Sequence, residues 1–85
     1  METQIYLQVI STEKTLFQGN VSVVRFPGAK SSFTVMKDHA PIMSLLDKGH
    51  ITFDGDFGKG KIPVSSGFVQ VRKNEVYVCI EQKGY

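Results

Sequence analysis

The sequence predicts an all-β fold, a small antiparallel β-sandwich of roughly 8–10 short strands, and three features of it carry that expectation. Turn-forming residues recur at short intervals along the whole chain. The runs between them are short, rich in β-branched and aromatic residues, and alternate apolar with polar. No window holds a convincing helix.

The strands follow in order. Ile5, Leu7 and Val9 alternate with Tyr6 and Gln8, so a period of two sends one set to the core and the other outward. Gly19-Asn20 reads as a turn, and Val21 and Val23, separated by Ser22, read as the inward residues that follow it. Pro27-Gly28, Lys37-Asp38, Lys48-Gly49, Asp54-Gly55, Gly58 to Gly60, Ser66-Gly67 and Lys73-Asn74 give the remaining turn signals. Pro41 to Leu46 is short enough for a strand or a single helical turn, with Asp38 as a possible cap; a strand is the expectation. Ile51 and Phe53 alternate with His50, Thr52 and Asp54. Pro63 has no N–H, which places Lys61 to Val64 on an edge strand or at a bulge. Val76, Val78 and Ile80 close the pattern.

Bulk composition narrows the function classes. A chain of 85 residues without linker or repeat is expected to form one domain over residues 1–85, with no second, helical domain after it. A net charge of +2, with ten Lys and Arg scattered among eight acids, gives no basic stripe for nucleic acid. The one cysteine, Cys79, has no partner for an internal disulfide and is expected to be a packed or half-buried small side chain. No apolar run approaches the roughly 20 residues of a membrane-spanning helix, and the opening Met1-Glu2-Thr3-Gln4 lacks the features of a signal peptide.

Several motif fragments fail on chemistry. Gly55 to Lys61 has the spacing of a phosphate-binding loop, but Ile62 stands where Ser or Thr would hold magnesium, and Ile62-Pro63-Val64 looks extended. A flexible glycine-rich hairpin tip is the expectation there. Asp54-Gly55-Asp56 begins like a calcium loop, yet Lys59 takes the glycine position and Ser65 that of the final glutamate. The two histidines, His39 and His50, have no second ligand at metal spacing. His39 beside Asp38 is read as a turn or interface pair, not as a catalytic base. No cofactor is expected. Val35-Met36-Lys37 raises an alternative, a biotinyl or lipoyl-type carrier domain modified at Lys37, but Asp38 stands where the second methionine of the biotin motif belongs.

Four stretches in sequence order carry a resemblance to a known family: "LQVISTEKTLFQGNV" (7–21), "VVRFPGAKSSFTV" (23–35), "DHAPIMSLLDKGHI" (38–51) and "VSSGFVQVRKNEVYVCI" (64–80). Together they resemble the N-terminal β-sandwich of the epsilon subunit of F-type ATP synthase. The resemblance implies a non-catalytic central-stalk subunit that binds the gamma subunit and the ring of c subunits in a hetero-oligomer. Membrane association then comes only through the complex, at the cytoplasmic face of a bacterial inner membrane. It implies contacts from the Pro27–Ser32 connection and the Lys37–Pro41 corner, gathered at a ring-facing end. The candidate residues are Ser31, Ser32, Lys37, Asp38, His39, Ala40, Pro41, Ile42 and Met43. An outer sheet face would meet gamma.

The chain departs from the family pattern in places. Lys37-Asp38 replaces a frequent Pro-Gly before the histidine, and Ser66 replaces the first glycine of a Ser-Gly-Gly run. Many members continue into a C-terminal helical hairpin that can inhibit ATP hydrolysis and in some binds ATP; neither property is carried over to these residues.

Overall fold

The computed structural model describes residues 4–56 and 58–82. Phe57, residues 1–3, on which the signal-peptide reading bears, and residues 83–85 lie outside the described residues. Eight strands form: β1 (Ile5–Ser11), β2 (Thr15–Phe26), β3 (Phe33–Val35), β4 (Ile42–Leu46), β5 (Gly49–Gly55), β6 (Gly58–Val64), β7 (Ser66–Arg72) and β8 (Glu75–Glu81). The described residues contain no helix, as the alternation predicts, and Pro41 to Leu46 resolves to strand β4.

Neighbouring strands run β4-β7-β8-β1-β2-β5-β6, with β3 paired to β2. The pairs are antiparallel except β1 with β8, which is parallel. The 12-residue β2 belongs to both layers. Its first half pairs with β1, and its second half pairs with β3 on one side and β5 on the other. One layer is therefore β4-β7-β8-β1 with the start of β2. The other is β3, the end of β2, β5 and β6.

Two sequence expectations are corrected in β2. Gly19-Asn20 is not a turn: Gly19 pairs with Leu7 and Asn20 with Tyr6 inside an unbroken ladder. Backbone hydrogen bonding along that ladder outweighs the local turn preference of the two residues. Val23 does not share the inward face with Val21. The register against β5 shifts between Val21 and Val23, so Val21, Val24 and Phe26 are buried while Val23 is half-exposed. A bulge adds one residue to the strand and reverses the alternation beyond it. It also bends β2 from one layer into the other.

The core is aliphatic. Ile5, Leu7 and Val9 from β1 meet Val69 and Val71 from β7 and Val76, Val78 and Ile80 from β8, and Phe26, Val35, Ile51 and Val64 face them from the other layer. All are at most 4% exposed, and no polar side chain among the described residues is buried with them. Pro63 sits on β6, the last strand of the order, where its missing N–H breaks no ladder bond to a further strand. Cys79 is half-buried.

Candidate functional site

With the core accounted for, the outward residues decide what the surface can do. Among the described residues, the large hydrophobic side chains left exposed are Met36, Met43, Leu45, Phe68 and Tyr77. Met43 and Leu45 lie on β4, Phe68 on β7 and Tyr77 on β8, and Met36 opens the corner that leads into β4. None lies on β2, β5 or β6. The sheet register joins them into two rows. Leu45, Phe68, Cys79 and Ile10 are successive cross-strand neighbours, and so are Met43, Gln70, Tyr77 and Gln8. Directly opposite residues on adjacent strands project from the same face, so both rows stand on the outer face of β4-β7-β8-β1. The rings of Tyr6 and Tyr77 add to it, 6.1 Å apart.

That face is hydrophobic but not featureless. Partial burial among its neighbours, and then the negative charge of Glu75, push the Tyr77 phenol above its ordinary pKa. Gln8 and Gln70 supply amide groups between the apolar side chains. This is the mixture of large apolar groups and neutral donors and acceptors found at the centre of protein interfaces.

The corner between β3 and β4 holds most of the residues that the sequence singles out. The amide of His39 donates to the carbonyl of Met36 at 3.2 Å, closing a turn with Lys37-Asp38 at its tip. Asp38 has φ +67°. That left-handed conformation suits glycine, and among side-chain-bearing residues Asp and Asn tolerate it best. Asp38 can therefore stand where the family pattern has glycine. Its amide donates to Oδ1 of Asn74 in the β7–β8 turn at 2.8 Å. The His39 ring is half-buried, with Nδ1 2.7 Å from the carbonyl of Ala40, a contact to local backbone of the kind expected of a turn residue. Ala40 and Pro41 are exposed beside the start of β4.

The structure does not bring every candidate residue to one end. β4 runs from the corner to the Pro27–Ser32 connection, where Gly28 bridges Leu46 and the Ala29 amide donates to the carbonyl of Leu45. Corner and connection thus lie at opposite ends of β4. Ser31 nevertheless shares a shallow groove with Phe33, Ile42 and Met43. Ser32 accepts a hydrogen bond from Arg25 at 3.0 Å. Met43 points outward, whereas Ile42 packs against the core and offers only part of its side chain. Leu45, Phe68 and Tyr77 are the residues that sequence reasoning leaves unassigned. The signal was present: each alternates with a buried neighbour, Leu46, Val69 and Val76 or Val78. No group of three or more His, Cys, Asp or Glu able to hold a metal occurs among the described residues.

Residues 4–83 match the family of the ATP synthase Delta/Epsilon chain, beta-sandwich domain. The chain belongs to this family. Among its relatives, the ATP synthase epsilon chain of Lawsonia intracellularis is 31% identical over 81 residues, which cover 95% of this chain and 61% of the relative. That of Nitratiruptor sp. is 36% identical over 76 residues, covering 88% and 59%. That of Caulobacter vibrioides is 31% identical over 78 residues, covering 92% and 91%. The chain thus spans about three fifths of the first two relatives and nine tenths of the third. In three dimensions it resembles a chain of the Euglena gracilis mitochondrial ATP synthase OSCP/F1/c-ring assembly, with TM-score 0.87 at 19% identity, covering 96% of this chain and 53% of that one. A chain of the Tetrahymena thermophila mitochondrial ATP synthase central stalk/c-ring structure follows with TM-score 0.75 at 13% identity, covering 91% and 63%. At those identities the likeness bears on the fold, and it agrees with the sandwich read from the sequence.

Proposed function

We propose that this epsilon-family sandwich is a non-catalytic subunit of the ATP synthase rotor. It binds the gamma subunit and the c-ring and helps couple rotation to ATP synthesis. It is peripheral, held at the cytoplasmic face of a bacterial inner membrane through the complex. The observation that carries this reading is the gathering of the large exposed hydrophobic side chains on β4, β7, β8 and the adjoining corner. A patch of that kind on a small domain marks a protein contact. We assign it to gamma. The corner and the groove, with Ser31, Ser32, Lys37, Asp38, His39, Ala40, Pro41, Ile42 and Met43, are assigned to the junction of gamma with the ring.

A sandwich suits such a mechanical task. Its close-packed core deforms little under load, and its outer residues can meet partners without rearranging that core. The experiment is a pull-down from detergent-solubilised membranes of the source bacterium with this chain as bait. Gamma and c subunits are the expected catch. Recovery of neither would overturn the reading.

A further inference from the structure

Asn74 is the second residue of the two-residue turn between β7 and β8, and it serves two other segments at once. Its backbone carbonyl accepts the amide of Tyr6 at 2.9 Å, where β1 begins. Its side-chain Oδ1 accepts the amide of Asp38 at 2.8 Å, at the tip of the corner. The corner's own turn is closed by His39 and Met36. The bond from Asp38 to Asn74 links that turn to the sheet carrying Tyr6 and Tyr77. It joins residues 36 positions apart in the chain.

We propose that Asn74 is the positioning residue of the docking corner. It fixes the corner against the β7–β8 turn, so that Met36, His39 and Met43 are held in a constant relation to the apolar face around Tyr77. This rests on the rotor-subunit reading above. Preorganisation is what the bond supplies. A loop of six residues, 36–41, that must be ordered on contact loses backbone freedom at the moment of binding, whereas a loop already held loses little. The contacts of His39 with Met36 and Ala40 are local to the corner, whereas the bond to Asn74 ties it to a distant part of the chain. A neutral amide suits the role, because its oxygen accepts without adding charge next to the Asp38 carboxylate.

The test compares Asn74→Ala with Asn74→Asp, which keeps an acceptor oxygen at the same reach. Positive φ among the described non-glycine residues is confined to Asp38 and Lys73, so alanine enters position 74 without backbone strain. Two readouts are taken on the full chain: hydrogen exchange of the Asp38 amide, and capture of gamma and c subunits from solubilised membranes. In Asn74→Ala the Asp38 amide should exchange about tenfold faster and capture should weaken roughly five- to tenfold, as loss of one net hydrogen bond implies. Asn74→Asp should recover both in part, because it restores the acceptor oxygen but sets a second carboxylate beside that of Asp38. Unchanged Asp38 exchange in Asn74→Ala overturns the proposal. So does faster exchange with undiminished capture, because the corner's order would then be irrelevant to docking. If the unmodified chain captures neither subunit, the rotor reading itself fails and the docking role falls with it; that result is recognised because no variant is needed to produce it.

Discussion

The ring of Phe53 lies over Gly60, its direct partner across the β5–β6 ladder, so closely that a Cβ on Gly60 would stand 2.3 Å from the ring. Phe53 also packs against Phe17, whose ring centroid is 4.3 Å away, so a shift of the Phe53 ring would alter that aromatic contact as well. Gly60→Ala should destabilise the domain by about 1–3 kcal/mol, the usual cost of overpacking. Combining it with Phe53→Leu should recover part of the loss. Urea midpoints of the two single variants and the double variant measure this coupling.

Gly67 presents a harder obstacle. A Cβ there would meet the Cys79 carbonyl oxygen at 2.3 Å and the Ile80 Cα at 2.8 Å, both backbone atoms of the paired strand. A side chain can rotate away, but a paired backbone cannot do so without opening the ladder. Gly67→Ala should therefore lower the thermal midpoint more than Gly60→Ala, with amide protection lost first at the β7–β8 pairing around Ile80.

Replacing outward residues should separate stability from binding. Leu45 is 69% exposed and Phe68 45%, so Leu45→Lys with Phe68→Lys removes little core packing. The folding free energy should change by about 1 kcal/mol or less. Capture of gamma should fall to background, because two ammonium groups would have to be desolvated at the centre of the contact. Circular dichroism melts and the membrane pull-down, run in parallel, give the two readings.

Asp38 tests the backbone of the corner. With φ at +67°, glycine should be accepted there with unchanged or slightly higher stability. Asp38→Val should cost about 1–2 kcal/mol, since a β-branched residue pays the full penalty of the left-handed region. Differential scanning calorimetry of the two variants gives the sign and the size.

Tyr77 gives a pH dependence. Its phenol is raised in the folded domain, by partial burial first and the Glu75 charge second. The folded state thus holds the proton more tightly than the unfolded chain. The associated stability is fully present below the unfolded tyrosine value of about 10 and is lost as pH rises through the folded value. Ultraviolet titration should show a tyrosine ionising above the range of a free phenol. That late step should disappear in Tyr77→Phe and move earlier in Glu75→Gln.

The sequence made the strand class legible because period-two alternation is a local property. Ile5 to Val9 and Val76 to Ile80 can be read without knowing their neighbours. It did not reveal the bulge at Ser22-Val23, because that depends on how β2 must bend to serve two layers. Gly19-Asn20 misled for a related reason: turn propensity is local, but the ladder that overrides it comes from distant residues. In the candidate site, Lys37-Asp38-His39 stood out as an interruption in an apolar run. Leu45, Phe68 and Tyr77 did not, since an outward apolar residue looks like a core residue until its strand's partners are known. Asn74 was legible only as a turn former; its bond to Asp38 links segments that nothing in the sequence relates.

The parallel pairing of β1 with β8 bears on how the molecule is made. Leu7 lies beside Val76 and Val9 beside Val78. Within this domain β1 is made before β8 and must wait for it before its sheet is complete. Until then one edge of β1, with its alternate apolar residues, has no mate and can pair wrongly. Contacts that span so much of the chain make folding slow for a protein of this size. The domain should reach its native state only after β8 has been made, and β1 is the strand through which incomplete chains would aggregate.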